Sequence, residues 1–272
     1  MTRAPATAKL NLALVVGRRR NDGKHEVTTV YQRLDLADRV AVEPAAQLVV
    51  DGFAADTLVR AALERLAAAA GVEPRWRARI TKRIPVASGL GGGSSDAATA
   101  LRLANATLPQ PLPFERLREI GAGLGADLPF FLEQGPQLGE GDGTTLTALD
   151  LPQDYWVVLL SPRRTEKRST AIVYDEFDRH DGGRGYRNRR AALKRALEAA
   201  VRPRDLAALP PNDLAASEHA EELLGHGAFR ADVTGAGPIV YGLFQHLETA
   251  RAARRSIGRL GRTWLTVPAW YG

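Results

Sequence analysis

The chain has 272 residues, 44% of them apolar and 25% charged, which is the balance of a folded globular protein and enough length for one large domain or two modest ones. It contains no cysteine, which excludes a disulfide framework, a thiolate metal site and a thiol nucleophile, and its longest apolar runs, near 12–16 and 157–160, fall far short of the roughly 20 residues of a membrane span. The formal charge of +6 suits an anionic partner, although the arginines that carry it cluster at 18–20, 163–168 and 184–190 and read mainly as solvated faces.

In chain order, residues 8–16, 27–36 and 40–50 group β-branched and apolar residues between turn signals and read as three strands, with Asn21-Asp22-Gly23 turning between the first two. Lys9 and Asn11 interrupt the first apolar run and no small-residue cleavage pattern follows, so it is not a secretion signal and the expected location is cytoplasmic. Helical spacing covers 56–70, with Asp56 as N-cap and Gly71 as the stop. A strand over 76–84 then runs into a glycine-rich loop. A helix over 95–106 follows, capped by Ser94 or Ser95, and another spans 114–123.

Beyond residue 149 the pattern predicts a strand at 155–160, helices at 170–177 and 188–200, strands at 230–234 and 239–244, a helix at 247–260 and a strand at 263–268. The segment 180–185 is polar and glycine-rich and reads as a mobile loop. A β-rich first half followed by alternating strands and helices predicts two α+β units, 1–150 and 151–272.

The stretch Pro85-Val86-Ala87-Ser88-Gly89-Leu90-Gly91-Gly92-Gly93-Ser94-Ser95 carries the chemistry. Its four glycines permit positive φ and leave backbone N–H groups open to a ligand. The helix that follows turns its unpaired N–H groups and positive dipole end toward the same space. A phosphate fits there, and the bland alternative is a flexible turn. No Walker A sequence occurs, and Gly121-Ala122-Gly123-Leu124-Gly125-Ala126 fits the dinucleotide pattern only formally, because it follows a helix rather than a strand.

Asp127 stands between small residues and the apolar run Leu128-Pro129-Phe130-Phe131. By itself it reads as a helix cap; beside a cation it could accept a hydroxyl proton. Lys9, read alone, is a surface lysine, and His25 a structural or exposed histidine.

Three segments taken together change the balance. Ala8-Lys9-Leu10-Asn11-Leu12, the glycine loop through Ala98, and Thr234-Gly235-Ala236-Gly237-Pro238 occur in the order found in the galactokinase, homoserine kinase, mevalonate kinase and phosphomevalonate kinase superfamily, which the chain resembles. Asp22-Gly23-Lys24-His25, Leu34-Asp35-Leu36, the segment 125–131 and Pro211-Asn212-Asp213-Leu214 make it most similar to the branch that phosphorylates a diphosphocytidyl alcohol.

The resemblance implies a two-domain fold, an N-terminal β-rich domain like that of ribosomal protein S5 and a C-terminal ferredoxin-like α+β domain. It implies transfer of the γ-phosphate of ATP, with Mg2+ accompanying the nucleotide, to the 2-hydroxyl of 4-diphosphocytidyl-2-C-methyl-D-erythritol in non-mevalonate isoprenoid precursor synthesis. ATP would lie over residues 85–95, with no metal ligand assigned on the protein. Lys9 and Asp127 match the catalytic pair. Asn11 would position the alcohol, His25 would meet the cytosine edge, Tyr174 would offer a ring face, and Thr234, Gly235 and Gly237 would support the nucleotide loop. A hairpin turn is the bland reading of the last segment, and ordinary packing that of Tyr174.

The chain departs from the family pattern at Lys24, where an aromatic suited to stacking is usual, and at Asp56-Thr57-Leu58, where an asparagine is expected after the aspartate. The implied partners are the small-molecule substrate alone, with no nucleic acid or membrane, and a monomer or weak homodimer. Two readings stand beside this one: a kinase of the same superfamily acting on another small alcohol, for which Lys24 argues, and a basic nucleic-acid-binding protein, for which charge argues.

Overall fold

In a computed structural model that describes residues 1–56, 58–163 and 169–269, the chain begins as a long antiparallel hairpin of β1 (Thr2–Arg19) and β2 (His25–Pro44). The second expected strand and the first part of the third, to Pro44, are thus one continuous strand, because 36–40 holds no turn-forming glycine, proline or asparagine, whereas the third breaks at 45–48 before resuming at Val49. The surplus is absorbed by irregular pairing: Thr7 pairs with Ala37 but Ala8 with Leu34, and Asn11 pairs with Tyr31 but Ala13 with Val30. Such bulges re-aim side chains, and these two flank Lys9 and Asn11.

After β3 (Val49–Asp51), helix α1 (Leu58–Ala70) starts at Asp56, whose carboxylate accepts from Val59 N at 3.0 Å, and ends at Gly71 with φ +66. Strand β4 (Trp76–Thr81) pairs with both β3 and β2. Helix α2 (Gly92–Asn105) is entered through Gly91 at φ +71 with no side-chain cap. Ser94 and Ser95 therefore lie inside its first turn, and the expected serine cap is corrected: a left-handed glycine, not a hydroxyl, starts this helix.

Helix α3 (Phe114–Ala122) stands where expected; α4 (Leu128–Leu132), β5 (Gln137–Gly141) and β6 (Thr145–Ala148) are too short for periodicity to reveal. The first sheet has the order β3-β4-β2-β5-β6, with β1 along the other edge of β2.

The remaining elements are β7 (Trp156–Pro162), α5 (Thr170–Arg179), α6 (Tyr186–Glu198), a 3-10 turn (Pro203–Ala208), α7 (Glu218–Gly225), β8 (Arg230–Val233), β9 (Val240–Phe244), α8 (Leu247–Ile257) and β10 (Gly261–Thr266). Their sheet runs β10-β7-β9-β8 with every pairing antiparallel, the ferredoxin-like order. The segment 180–185, expected as a mobile loop, forms a turn in which Arg189 Nη2 donates to Gly182 O at 2.8 Å; Gly182 packs closely against Phe177.

One core lies between the first sheet and α1 to α4, and another beneath α7 and α8. A third joins the halves: Leu10, Leu12, Ile84 and Leu90 pack with Val157, Leu159, Ile239 and Tyr241. Residues from both sheets are removed from water together, so β1, nominally an edge strand, is buried on both faces.

Candidate active site

Lys9 and Asn11 are two apart on β1 and so face the same side. Both are buried, and a buried ammonium is tolerable only with partners. Lys9 Nζ donates to Asn11 Oδ1 at 2.7 Å and lies 3.4 Å from Asp127 Oδ2. Asn11 is fixed in turn, its Nδ2 donating to Thr29 Oγ1 at 2.8 Å and its backbone N to Thr234 Oγ1 at 3.0 Å.

Asp127 enters α4 without making a side-chain cap bond, so the cap reading does not describe it. Its carboxylate, 34% exposed, faces a cleft of about 810 Å³ that Lys9 and Asn11 also line. The helix behind it is held by buried Arg33, which donates to Phe130 O at 2.9 Å, and whose guanidinium is lowered to about 10 by burial. Buried Tyr31 completes the group, with Lys9 Nζ 5.6 Å from its ring centre. Burial first, and the Asp127 charge second, push its phenol well above the ordinary range, so it remains a neutral donor beside that carboxylate. No motif marks Tyr31; its signal was only a tyrosine opposite Asn11 in a long hairpin.

The glycine loop is seated on the same strand, since Lys9 N donates to Leu90 O at 2.9 Å. A Cβ on Gly89 would stand 2.8 Å from Thr234 O, and one on Gly91 would stand 2.7 Å from the Phe131 ring. The loop is therefore glycine where it presses against Thr234 to Pro238 and against the lysine strand. Asn212 binds that supporting segment, its Nδ2 donating to Val233 O at 2.9 Å and Gly235 O at 2.6 Å.

Of the predicted phosphate residues, Ala87, Gly89 and Ser94 line the cleft, together with Gly235 and Gly237. Leu90, Ser88 and Ser95 are buried and Val86 is exposed, while Pro85, Gly91, Gly92 and Gly93 are partly buried. Leu90 belongs to the core shared by both halves, so its side chain anchors the loop. Directly beneath, Lys82 bridges Asp38 and Asp96, the latter at 2.7 Å. Burial first, and the Asp38 charge with it, raise Asp96 to about 7 against the opposing pull of Lys82.

At the other end of the cleft, buried His25 places Nε2 2.8 Å from Asp178 Oδ1 and stacks on Tyr174 with ring centres 4.5 Å apart. Burial and then the Asp127 charge push Tyr174 up to about 12. Lys24, in the place of the usual aromatic, donates to Asp142 Oδ2 at 2.6 Å. Burial alone would raise Asp142, but Lys24 and Thr144 bring it down to about 2. Asp56 caps α1 and does not line this cleft; Thr57 lies outside the described residues.

The arginine clusters are largely neutralised. Arg19 meets Asp175 and Asp178, each at 3.2 Å, Arg189 meets Asp213 at 3.0 Å, and Arg190 meets Glu140 at 2.6 Å. Of the cluster at 163–168, residues 164–168 lie outside the described residues.

A buried lysine beside an open carboxylate, under a glycine loop that opens a helix, on two joined α+β layers, defines a small-molecule phosphotransferase. Residues 57–135 match the model of the GHMP kinases N terminal domain and 215–263 that of the GHMP kinases C terminal. The chain is 38% identical to the 4-diphosphocytidyl-2-C-methyl-D-erythritol kinase of Geobacter metallireducens, covering 93% of this chain and 92% of that one. It is 37% identical to the enzyme of the same name from Geobacter sulfurreducens, covering 95% of each.

A crystal structure of 4-(cytidine 5'-diphospho)-2C-methyl-D-erythritol kinase matches with a TM-score of 0.79 at 30% identity, covering 98% of this chain and 99% of that one. A mevalonate kinase structure, at 12% identity and a TM-score of 0.78 over 98% of this chain and 99% of that one, shares the fold. The chain belongs to the GHMP kinases and, among them, to the 4-diphosphocytidyl-2-C-methyl-D-erythritol kinase family; it is an ATP-dependent small-molecule kinase.

Proposed function

We propose that this chain transfers the γ-phosphate of ATP to the 2-hydroxyl of 4-diphosphocytidyl-2-C-methyl-D-erythritol, within cytoplasmic synthesis of isoprenoid precursors by the non-mevalonate route, acting as a monomer or weak homodimer. The observation that carries this reading is the 3.4 Å pair of Lys9 and Asp127, set in a cleft that has the glycine loop at one end and His25 with Tyr174 at the other. The reacting hydroxyl belongs between Asp127 and the loop. Asp127 accepts or orients its proton, and Lys9 keeps the carboxylate charged and offsets negative charge on the moving phosphoryl group. Asn11, held by Thr29, fixes the approach of the alcohol.

Among the described residues no group of three or more His, Cys, Asp or Glu side chains could hold a metal ion. Among the oxygen donors that line the cleft, the Asp127 carboxylate and the Ser94 hydroxyl lie in the segments beside the glycine loop and Lys9, and are hard oxygens that suit Mg2+. They fit an ion held chiefly by the nucleotide phosphates, where it would neutralise phosphate charge. The N-terminal unit, residues 1–150, supplies the lysine strand and phosphate loop, and 151–272 supplies α5 and the supporting segment. Lys24 does not favour another alcohol, because its charge is taken up by Asp142 rather than offered to a different substrate.

A coupled ADP-release assay across a panel of alcohols tests the reading. The cytidyl substrate is expected to give the highest kcat/KM; turnover with another alcohol and none with this one would refute the substrate while leaving the kinase. Asp127→Asn is expected to lower kcat by about 10²- to 10⁴-fold with ATP binding retained, and unchanged turnover would refute the mechanism.

A further inference from the structure

The geometry points to Asp178, braced by Arg19, as a positioning residue that fixes His25 as a hydrogen-bond acceptor toward the cleft and so selects a base bearing an amino group, a role that rests on the cytidyl reading above. An ionised carboxylate can only accept, and the hydrogen bond from His25 is the leading cause that lowers Asp178, with Arg19 acting in the same direction. The imidazole nitrogen 2.8 Å from Asp178 Oδ1 is Nε2, so Nε2 must carry a proton. In the neutral ring the remaining nitrogen, Nδ1, is then an acceptor.

Nδ1 has no partner among the described residues and is not among the sealed, unbonded polar atoms, while His25 lines the cleft. That nitrogen therefore opens to the ligand. The ring cannot easily flip and put carbons where its nitrogens stand, because Tyr174 stacks on one face and Phe177 meets it edge-on at 6.1 Å. Arg19 holds the orienting carboxylate from its far side, with Nη2 3.2 Å from Asp178 Oδ2 and also 3.2 Å from Asp175 Oδ1.

An acceptor presented this way bonds the amino group at C4 of cytosine. Uracil offers a carbonyl oxygen at that position, and two acceptors facing each other leave a desolvated pair without a proton. Uracil's own donor, the ring N–H, is displaced sideways and can be reached only by shifting the base. A site whose polar group is preset rejects the analogue that cannot pair with it.

Two measurements separate this role from the function on which it rests. Long-range nitrogen–proton NMR of the imidazoles, with the His25 signal assigned from a His25→Gln variant, is expected to show the Nε2–H form in the free enzyme. A tautomer mixture in Asp178→Ala and retention of the form in Asp178→Asn, which keeps an acceptor oxygen, are also expected. A mixture, or a ring protonated on both nitrogens, in the unsubstituted protein at assay pH would overturn the lock without reference to any substrate.

In ADP-release kinetics with the diphosphocytidyl alcohol and its diphosphouridyl counterpart, Asp178→Ala is expected to raise KM for the former about tenfold, one hydrogen bond's worth, and to narrow the preference between the two. The kcat and the KM for ATP should stay within about twofold, and Asp178→Asn should restore most of the preference. An intact lock with an unchanged preference in Asp178→Ala would overturn the base-reading role. Failure of the unsubstituted enzyme to turn over either nucleotide substrate would overturn the proposed function and that role together.

Discussion

Tyr31 sits on β2 opposite Asn11 and owes its chemistry to burial beside a carboxylate. Because its phenol is held above the ordinary range by burial and Asp127, it donates and does not ionise, and so helps to orient the carboxylate that meets the substrate. Tyr31→Phe removes that donor and leaves the ring that stacks on Phe130 at 4.9 Å. It should reduce kcat about tenfold and leave the KM for ATP unchanged in steady-state assays; an unaltered kcat would show that Lys9 alone orients Asp127. Lys9, Asn11 and Asp127 could be read from sequence because they sit in ordered motifs. Tyr31 and Asp178 could not: one looks like a core position in an alternating strand, and the other like one acid among many on an exposed helix face.

The phosphate loop is an element whose glycines are not equivalent. Gly91 has φ +71, and a Cβ there would strike the Phe131 ring at 2.7 Å, so strain and overpacking act together. Gly91→Ala should lower stability by about 1–3 kcal/mol and raise the KM for ATP, read by thermal denaturation and kinetics. A variant with an unshifted melting temperature would mean that the loop yields. Elements whose ends carry their own chemistry were legible, as at α1, where Asp56 and Gly71 mark both limits. At α2 the glycines concealed the true start, because apolar spacing begins later than the helix does. The break expected at 36–40 did not form, since that stretch lacks glycine, proline and asparagine, and the bulges that took up the surplus residues are a tertiary outcome that local pattern does not encode. Strands β5 and β6 gained their conformation from pairing with β2 and with each other.

Across the whole molecule, the Lys82 bridge to Asp38 and Asp96 ties β2 and α2 to the end of β4. Asp96 is raised to about 7 in the folded protein by burial, so between the ordinary carboxylate range and that value the native state holds a proton that the unfolded chain has released. Its contribution to stability is full below this window and is lost as pH rises through it. Lys82, which burial alone would lower, is raised by its bonds to Asp38 and Asp96 and stays charged throughout the window. Unfolding free energy measured by denaturant titration should therefore fall by on the order of 2 kcal/mol between about pH 5 and pH 8 relative to Asp96→Asn. Parallel pH profiles for the two proteins would remove Asp96 from the account. The core that Leu10, Leu12 and Leu90 share with Leu159 and Tyr241 has a different consequence, for motion. Two layers joined along an apolar seam would expose that core to water if one half swung over the other, so the enzyme is not expected to shield its reacting phosphate in that way. Keeping water out falls instead to side chains at the mouth of the cleft, such as Lys24 and Ser169, which can change rotamer without disturbing the seam.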